Sequence, residues 1–165
     1  MSVKRIALLR GALAAAALAV TSSASIAQQS DAQSCAEKLT QQLRRFSDKC
    51  IADLVGYVAS QPELSARISG EAEKFYVTLT RHDGGLVAGA VSKFNYPLMK
   101  SDTPDLLKQL GWQAPENESD DWKKPVDSDA ARSGSAAQDI SNALKAYGLK
   151  AGEAMSITIG TDMPK

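Results

Sequence analysis

Groups that commonly carry out catalysis or bind metals are scarce in this sequence. The chain of 165 residues has one histidine, His82, and two cysteines, Cys35 and Cys50. His82 stands beside Asp83-Gly84-Gly85, a composition typical of a turn, where a histidine is usually solvated. Two cysteines and one distant histidine do not make a zinc ligand set either. We therefore expect no catalytic residue, no metal and no cofactor.

Long hydrophobic runs are also lacking, and the one short run lies near the N-terminus. Residues 11–21 are mostly Ala, Leu and Val, fewer than the roughly 17 to 25 apolar residues that a membrane-spanning helix needs. The run follows Lys4, Arg5 and Arg10, and it precedes Ser25-Ile26-Ala27, which has small residues at the positions that a signal peptidase recognises. This order of features predicts a secretory signal peptide.

Cleavage after this signal defines the expected domain organisation. We expect a signal peptide at residues 1–27, a flexible segment at 28–33 and a single domain at 34–165 in a periplasmic or secreted protein. The precursor has 19 basic and 19 acidic residues, of which the signal holds three basic and no acidic ones, so the mature chain carries a net charge of −3. This charge, and the lack of a basic run with aromatic residues, argue against a nucleic-acid partner. No membrane span is expected after cleavage.

Cys35 and Cys50 present a conflict between compartment and spacing. An oxidising compartment favours a disulfide between two lone cysteines. The segment between them is typical of a helix, because Leu39, Leu43 and Phe46 recur at steps of three or four. In one straight helix the two cysteines would lie roughly 22 Å apart, against a Cα separation of at most about 7 Å in a disulfide. A Cys35–Cys50 disulfide and two separate thiols both remain open.

The periodicity after the first helix changes from helical to alternating. Residues 75–80 alternate apolar and polar side chains, residues 82–85 have turn composition, and residues 86–92 alternate again, which predicts a β-hairpin. A weaker alternation at residues 64–68 adds a third strand, so we expect an antiparallel meander. The tail at residues 155–159 also alternates and is expected to add an edge strand.

Two further helices are marked by residues that favour helix ends. Thr103-Pro104 combines a capping hydroxyl with a proline suited to the first turn, and Gly111 follows as a stop. Ser135 begins a capping box, and Gly148 ends that helix. Residues 113–133 are rich in Pro, Asp, Glu, Asn and Ser and predict a long loop. The expected fold class is α+β, with a long N-terminal helix, an antiparallel β-meander, a short helix, a long loop and a C-terminal helix.

Aromatic residues are few, yet both tryptophans lie beside or within the long loop. Trp112 and Trp122 could anchor this loop on the sheet by burying large apolar area. Alternatively, one of them could line a groove for an extended or helical peptide together with Tyr96. Both interpretations stay open, and the second makes Tyr96, Trp112 and Trp122 the peptide-binding residues.

Five short stretches between residues 76 and 148 occur in an order that is typical of one known family. They are Tyr76-Val77-Thr78-Leu79, Ala90-Val91-Ser92, Leu110-Gly111-Trp112-Gln113-Ala114-Pro115, Asp121-Trp122-Lys123 and Tyr147-Gly148. In these stretches the chain resembles the TY-Chap group, the chaperone-like domains that include YbjN and the type III secretion chaperones. The resemblance implies a YbjN-like or secretion-chaperone-like α+β fold whose sheet and flanking helix bind a protein or peptide. The group is largely intracellular, whereas this chain has a predicted export signal.

Three functions are consistent with the sequence. The first is an exported, non-catalytic and chaperone-like domain that binds a protein or peptide, which predicts an exposed apolar patch or an open sheet edge. The second is a structural or assembly homodimer with a stripe of Leu39, Leu43 and Phe46 as its self-interface. The third is a small exported enzyme of unknown reaction, which requires a polar pocket that joins His82 to a carboxylate of displaced pKa.

Overall fold

The computed structural model describes residues 42–70, 74–82 and 85–161. The predicted signal peptide, the segment at 28–33 and Cys35 lie outside these residues. The described part is an α+β domain with a six-stranded antiparallel sheet and four helices, which confirms the α+β class but not the whole expected arrangement of elements. None of these helices has the length and hydrophobicity needed to cross a bilayer.

The elements follow one another as a sheet interrupted by helices. The strands are β1 (Gln42–Arg45), β2 (Ser65–Ser69), β3 (Tyr76–His82), β4 (Gly85–Ala90), β5 (Trp122–Val126) and β6 (Ala154–Gly160). The helices are α1 (Asp48–Ser60), α2 (Thr103–Gln109), α3 (Ser128–Ser133) and α4 (Ser135–Ala146). The strand order across the sheet is β1-β6-β2-β3-β4-β5, and all neighbours are antiparallel. The meander of β2, β3 and β4 is confirmed, but β6 lies between β1 and β2 and is not the expected edge strand.

One face of the sheet packs on the helices, and we call it the helix face. In β3 the side chains of Val77 and Leu79 are fully buried, whereas Thr78 between them is half-buried. Successive side chains of a strand point to opposite faces, so Thr78 belongs to the other face, which we call the open face. Leu54 of α1 and Leu144 of α4 are fully buried in the same core cluster as the helix-face residues.

The long helix expected around residues 35–54 is wrong between residues 42 and 47. Residues Gln42–Arg45 form β1, which pairs with β6, and α1 begins only after Ser47, whose hydroxyl accepts a hydrogen bond from the Cys50 N–H. Leu43 is 80% exposed in β1, whereas Phe46 is buried in the core. Leu43 and Phe46 therefore do not share a surface stripe, and a self-interface built from both is wrong. Pairing with a distant strand overrides the local helical periodicity here.

The long loop expected at residues 113–133 contains both a strand and a helix. β5 pairs with β4, from Trp122 opposite Ala90 to Val126 opposite Leu86. It is the last strand of the described sheet, and on its outer side Lys123 forms an isolated bridge with Gln113. Such an edge position can accommodate Pro125, which lacks a backbone N–H. This strand could not be recognised from its polar, proline-containing sequence, because it is defined by hydrogen bonds to β4.

The two later helices occur where expected but use different caps. Asp102, not Thr103, is the N-cap residue of α2, and Gly134, not Ser135, is that of α4. Gly134 has a φ of 83° because it joins α3 directly to α4. Thr103 instead donates its hydroxyl hydrogen bond to the Ala146 carbonyl, 3.1 Å away, at the end of α4. This bond fixes α2 beside α4.

Arg81 ties the helix face of the sheet to the end of α1. Its Nη2 atom lies 3.1 Å from the carbonyl oxygens of Val58 and Ala59 and 3.2 Å from that of Gln61. The last carbonyls of a helix lack partners within the helix and carry partial negative charge. The guanidinium supplies both the missing hydrogen-bond donors and a compensating positive charge. These contacts with the end of α1 explain why a charged side chain occurs on the helix face of β3.

Candidate peptide-binding groove

An open groove of about 540 Å³ lies beyond the end of β4. One wall is the segment that leaves β4, and the opposite wall is the loop that leads to β5. The start of α2 contributes Pro104. The lining residues are Ser92, Lys93, Phe94, Pro104, Pro115, Glu116, Asn117, Glu118 and Trp122. A volume of this size is within the range of ordinary ligand sites.

The apolar part of the groove combines a protruding ring with rigid neighbours. The side chain of Phe94 is 60% exposed, which is unusual for a phenylalanine. Pro104 and Pro115 add apolar surface with little conformational freedom. Trp122 is only 4% exposed, so most of its indole belongs to the core and a small part borders the groove. A partner side chain can therefore lie against Phe94 without moving the core.

Ser92 gives the groove an unsatisfied polar group. The residue is 3% exposed, and its Oγ atom has no hydrogen-bond partner within the described ranges. Its backbone N–H is satisfied by the Asp121 Oδ1 atom at 2.9 Å. A buried hydroxyl without a partner is energetically unfavourable, so this wall carries a local cost in stability.

Asp121 connects the two walls of the groove. Its carboxylate accepts hydrogen bonds from the Tyr76 hydroxyl at 2.8 Å, from the Ser92 N–H at 2.9 Å and from the Asn95 amide at 2.9 Å. Burial and the hydrogen bond to Asp121 raise the pKa of Tyr76 to about 12, because both favour the protonated phenol that donates to the carboxylate. The carboxylate thus fixes residues 92–95 and the loop before β5 to the sheet.

A cluster of aromatic rings supports the wall that carries Phe94. Phe75 stacks on Tyr147 with ring centroids 5.4 Å apart and contacts Tyr96 at 6.1 Å. The Tyr147 hydroxyl donates a hydrogen bond to the Val91 carbonyl, and burial raises the pKa of this phenol. Gly70 makes room for Phe75, because a Cβ atom there would lie 2.0 Å from the phenylalanine Cζ. The wall therefore rests on packed rings and a required glycine.

The three residues predicted to bind peptide occupy different positions. Trp122 borders the groove, whereas Tyr96 is partly buried against Phe75 and does not line it. Trp112 is 3% exposed and also lies outside the lining. The structure thus supports an anchoring position for Trp112, and the peptide-binding role of all three stays a prediction.

Sequence reasoning missed Ser92, Phe94 and the two prolines of the groove. The available signal was Phe94 itself, an aromatic residue set between Lys93 and Asn95 in a segment without strand or helix periodicity. In such a segment no periodic apolar pattern predicts that a large aromatic ring is buried.

The loop that forms the second wall is acidic. Glu116 and Glu118 line the groove, and neither forms an ion pair within the described residues. Residues 92–121 contain six acidic and three basic side chains. Lys93 on the first wall offsets one of these two charges, so the lining carries a net charge of −1. The apolar surface and the excess of carboxylates favour a ligand that carries an apolar side chain next to Lys or Arg.

The remaining ionisable groups lie elsewhere. His82 is exposed at the end of β3 and does not line the groove. A hydrogen bond from the Lys145 ammonium, 2.8 Å away, lowers the pKa of Asp48 and joins α4 to the start of α1. In the part of the chain that the structure describes, no three His, Cys, Asp or Glu side chains gather into a possible metal site. Cys50 is buried in α1, and both alternatives for Cys35 and Cys50, a disulfide or two separate thiols, stay open because Cys35 is outside the described ranges.

Comparisons with known proteins give no indication of function. No family model, curated protein or solved structure gives a significant match to this chain.

Proposed function

We propose that the protein is an exported, non-catalytic and chaperone-like domain that binds an extended segment of a protein partner in the groove. The observation that carries this proposal is the exposure of Phe94 inside a concave surface, on a wall that Asp121 holds in place. A phenylalanine that is kept exposed on a fixed support is the kind of anchor that interfaces bury.

The energetics of this surface support binding of an apolar side chain. Full burial of a phenylalanine removes apolar area worth about 1.5–3 kcal/mol, and Phe94 is more than half exposed in the free protein. The wall needs little reordering, because the Asp121 hydrogen bonds and the Phe75 ring stack already fix it. Affinity therefore comes from contacts with a preformed site.

The charge of the rim selects the chemistry of the partner. Glu116 and Glu118 favour a segment with Lys or Arg close to its apolar anchor. An extended peptide presents an apolar side chain and a neighbouring cation within a few residues.

Two sequence features agree with this role. The signal peptide predicted at residues 1–27 implies a periplasmic or secreted protein. The resemblance to the TY-Chap group implies a YbjN-like binding domain that acts on other polypeptides. Both remain predictions, and peptide binding in the groove requires neither.

The proposal is tested with an array of synthetic peptides and the mature protein that begins at Gln28. We expect selection of peptides with an aromatic or aliphatic residue flanked by Lys or Arg. Phe94→Ala should weaken binding, and Leu43→Ala is the matched control because it removes another exposed apolar side chain, in β1. Equal binding by wild type and Phe94→Ala, or selection of acidic peptides only at this site, would contradict the proposal.

A second candidate is self-assembly through β1. Among the described strands this one is at the edge of the sheet, and Leu43 is 80% exposed on it, a combination that favours pairing between edge strands. Mass measurement in solution separates the two functions: assembly predicts a dimer that Leu43→Lys dissociates, whereas peptide binding needs only a monomer.

A further inference from the structure

The charges of the sheet are strongly one-sided. None of the six strands contains an Asp or Glu, although Lys and Arg occur in β1, β2, β3 and β5. Three of these cations, Arg45, Arg67 and Lys123, point to the open face according to strand alternation and register. The carboxylates of the described residues lie in helices and connections.

Arg67 and Lys123 lie in one row across the open face. The register places Arg67 beside Thr78, Thr78 beside Gly89, and Gly89 beside Lys123. Three strand spacings separate the two cations, a distance of about 14 Å. The centre of the row is low, because Gly89 has no side chain and a Cβ atom there would lie 2.5 Å from the Thr78 hydroxyl.

The charge at Arg67 is held in position. Its guanidinium carbon lies 3.8 Å from the centroid of the Tyr76 ring, and the Tyr76 hydroxyl is bound by Asp121. Stacking occupies the flat face of a guanidinium and leaves its N–H edge available to a carboxylate. Within the described ranges, neither the Arg67 nor the Lys123 side chain has a hydrogen bond or ion pair to a carboxylate.

We propose that the open face binds an acidic, extended segment of a protein partner, with one carboxylate at Arg67 and another at Lys123. A strand advances about 3.3 Å per residue, so carboxylates about four residues apart match the separation of the cations and point to the same side of the segment. The low strip over Thr78 and Gly89 accommodates the backbone between them.

Charge and composition favour an acidic polypeptide over a nucleic acid. Proteins that bind single strands present aromatic rings on which bases stack, along a positively charged groove. Among the open-face strand positions the aromatic rings are that of Tyr76, which Arg67 already covers, and the single imidazole of His82 at the far end of β3. This surface is separate from the Phe94 groove, so the proposal does not rest on the proposed function.

The test uses the mature protein and a labelled extended peptide of Thr and Val that carries two Glu residues four positions apart. Fluorescence anisotropy should detect binding that weakens as ionic strength rises, because the surface charges are screened. The double variant Arg67→Glu/Lys123→Glu should bind the peptide at least about tenfold more weakly than the wild type. Lys108→Glu/Lys150→Glu makes the same change in net charge on exposed residues outside the strands and should keep wild-type affinity.

Each other outcome overturns the proposal. Equal binding of a peptide with Gln in place of Glu would show that charge is not recognised. Equal loss in both double variants would show a nonspecific charge effect. A single-stranded oligonucleotide bound more tightly than the peptide, or a salt-sensitive dimer abolished by Arg67→Glu/Lys123→Glu, would assign the face to another occupant. If circular dichroism shows that this variant is unfolded, Arg67→Gln/Lys123→Gln must give the loss, and unchanged affinity there also contradicts the proposal.

Discussion

The Tyr76 hydroxyl donates a hydrogen bond to the Asp121 carboxylate across 2.8 Å, and this contact joins the third strand to the loop that precedes the fifth. The two residues are 45 positions apart in the chain. The same carboxylate orders the Phe94 wall of the groove, while the Tyr76 ring supports Arg67 on the open face. One residue pair therefore stabilises both candidate binding surfaces.

Removal of this hydroxyl tests its contribution to stability. Tyr76→Phe keeps the ring under Arg67 but deletes the donor to Asp121, so the free energy of unfolding should fall by about 1–2 kcal/mol. Tyr57→Phe is the control, because Tyr57 is also half-buried but its hydroxyl has no hydrogen bond within the described residues. Denaturant titration measures both. Equal effects of the two substitutions would contradict a specific role for the Tyr76 hydroxyl.

The same phenol predicts a stability loss at alkaline pH. The pKa of Tyr76 is raised from an ordinary value of 10 to about 12, because burial and the Asp121 contact favour the neutral form. A pKa that is higher in the folded than in the unfolded chain stabilises the fold fully below pH 10, and this contribution is lost as pH rises from 10 towards 12. Tyr76→Phe should make the stability less steep in this interval, and an unchanged slope would count against the raised pKa.

Asp121 should matter for binding as well as for stability. Asp121→Asn replaces a charged acceptor of three hydrogen bonds, so we expect a loss of about 1–3 kcal/mol in unfolding free energy and weaker binding of groove peptides. Asp120→Asn is the matched control, since within the described residues the Asp120 carboxylate contacts only the nearby Asn117 side chain. Calorimetric unfolding and peptide titration measure the two effects. Unaltered peptide affinity in Asp121→Asn would separate this network from the groove.

Two glycines should respond in opposite ways to alanine. Gly70→Ala places a Cβ atom 2.0 Å from the Phe75 ring and should destabilise the protein by about 1–3 kcal/mol or more. Gly56 lies inside α1, where a Cβ atom would have open space around it to 4 Å, so Gly56→Ala should stabilise the protein by about 0.5–1 kcal/mol. Thermal unfolding distinguishes the signs. A neutral Gly70→Ala would mean that Phe75 can move without cost to the wall.

Elements with strong local signals could be predicted from sequence. The β3–β4 hairpin combines alternation with turn residues, and α4 combines an apolar stripe with Gly148, whose φ of 102° suits the end of a helix. β1 could not be predicted, because its stability comes from β6, more than a hundred residues later in the chain. β5 is polar and contains a proline, and only its pairing with β4 defines it.

The candidate sites were less predictable than the fold for a related reason. Trp122 could be singled out because tryptophan is rare in this chain. The exposure of Phe94 and the unpaired Ser92 hydroxyl depend on which segments the sheet brings together, and no local pattern records that. The row from Arg67 to Lys123 likewise requires the register of four strands.

Amide hydrogen exchange of the mature protein, with and without a selected groove peptide, tests the central claim most directly. Bound peptide should slow exchange at residues 92–94 and 116–118, and Phe94→Ala should abolish this protection while Leu43→Ala retains it. Protection confined to another surface, or identical protection in Phe94→Ala, would contradict peptide binding in the groove.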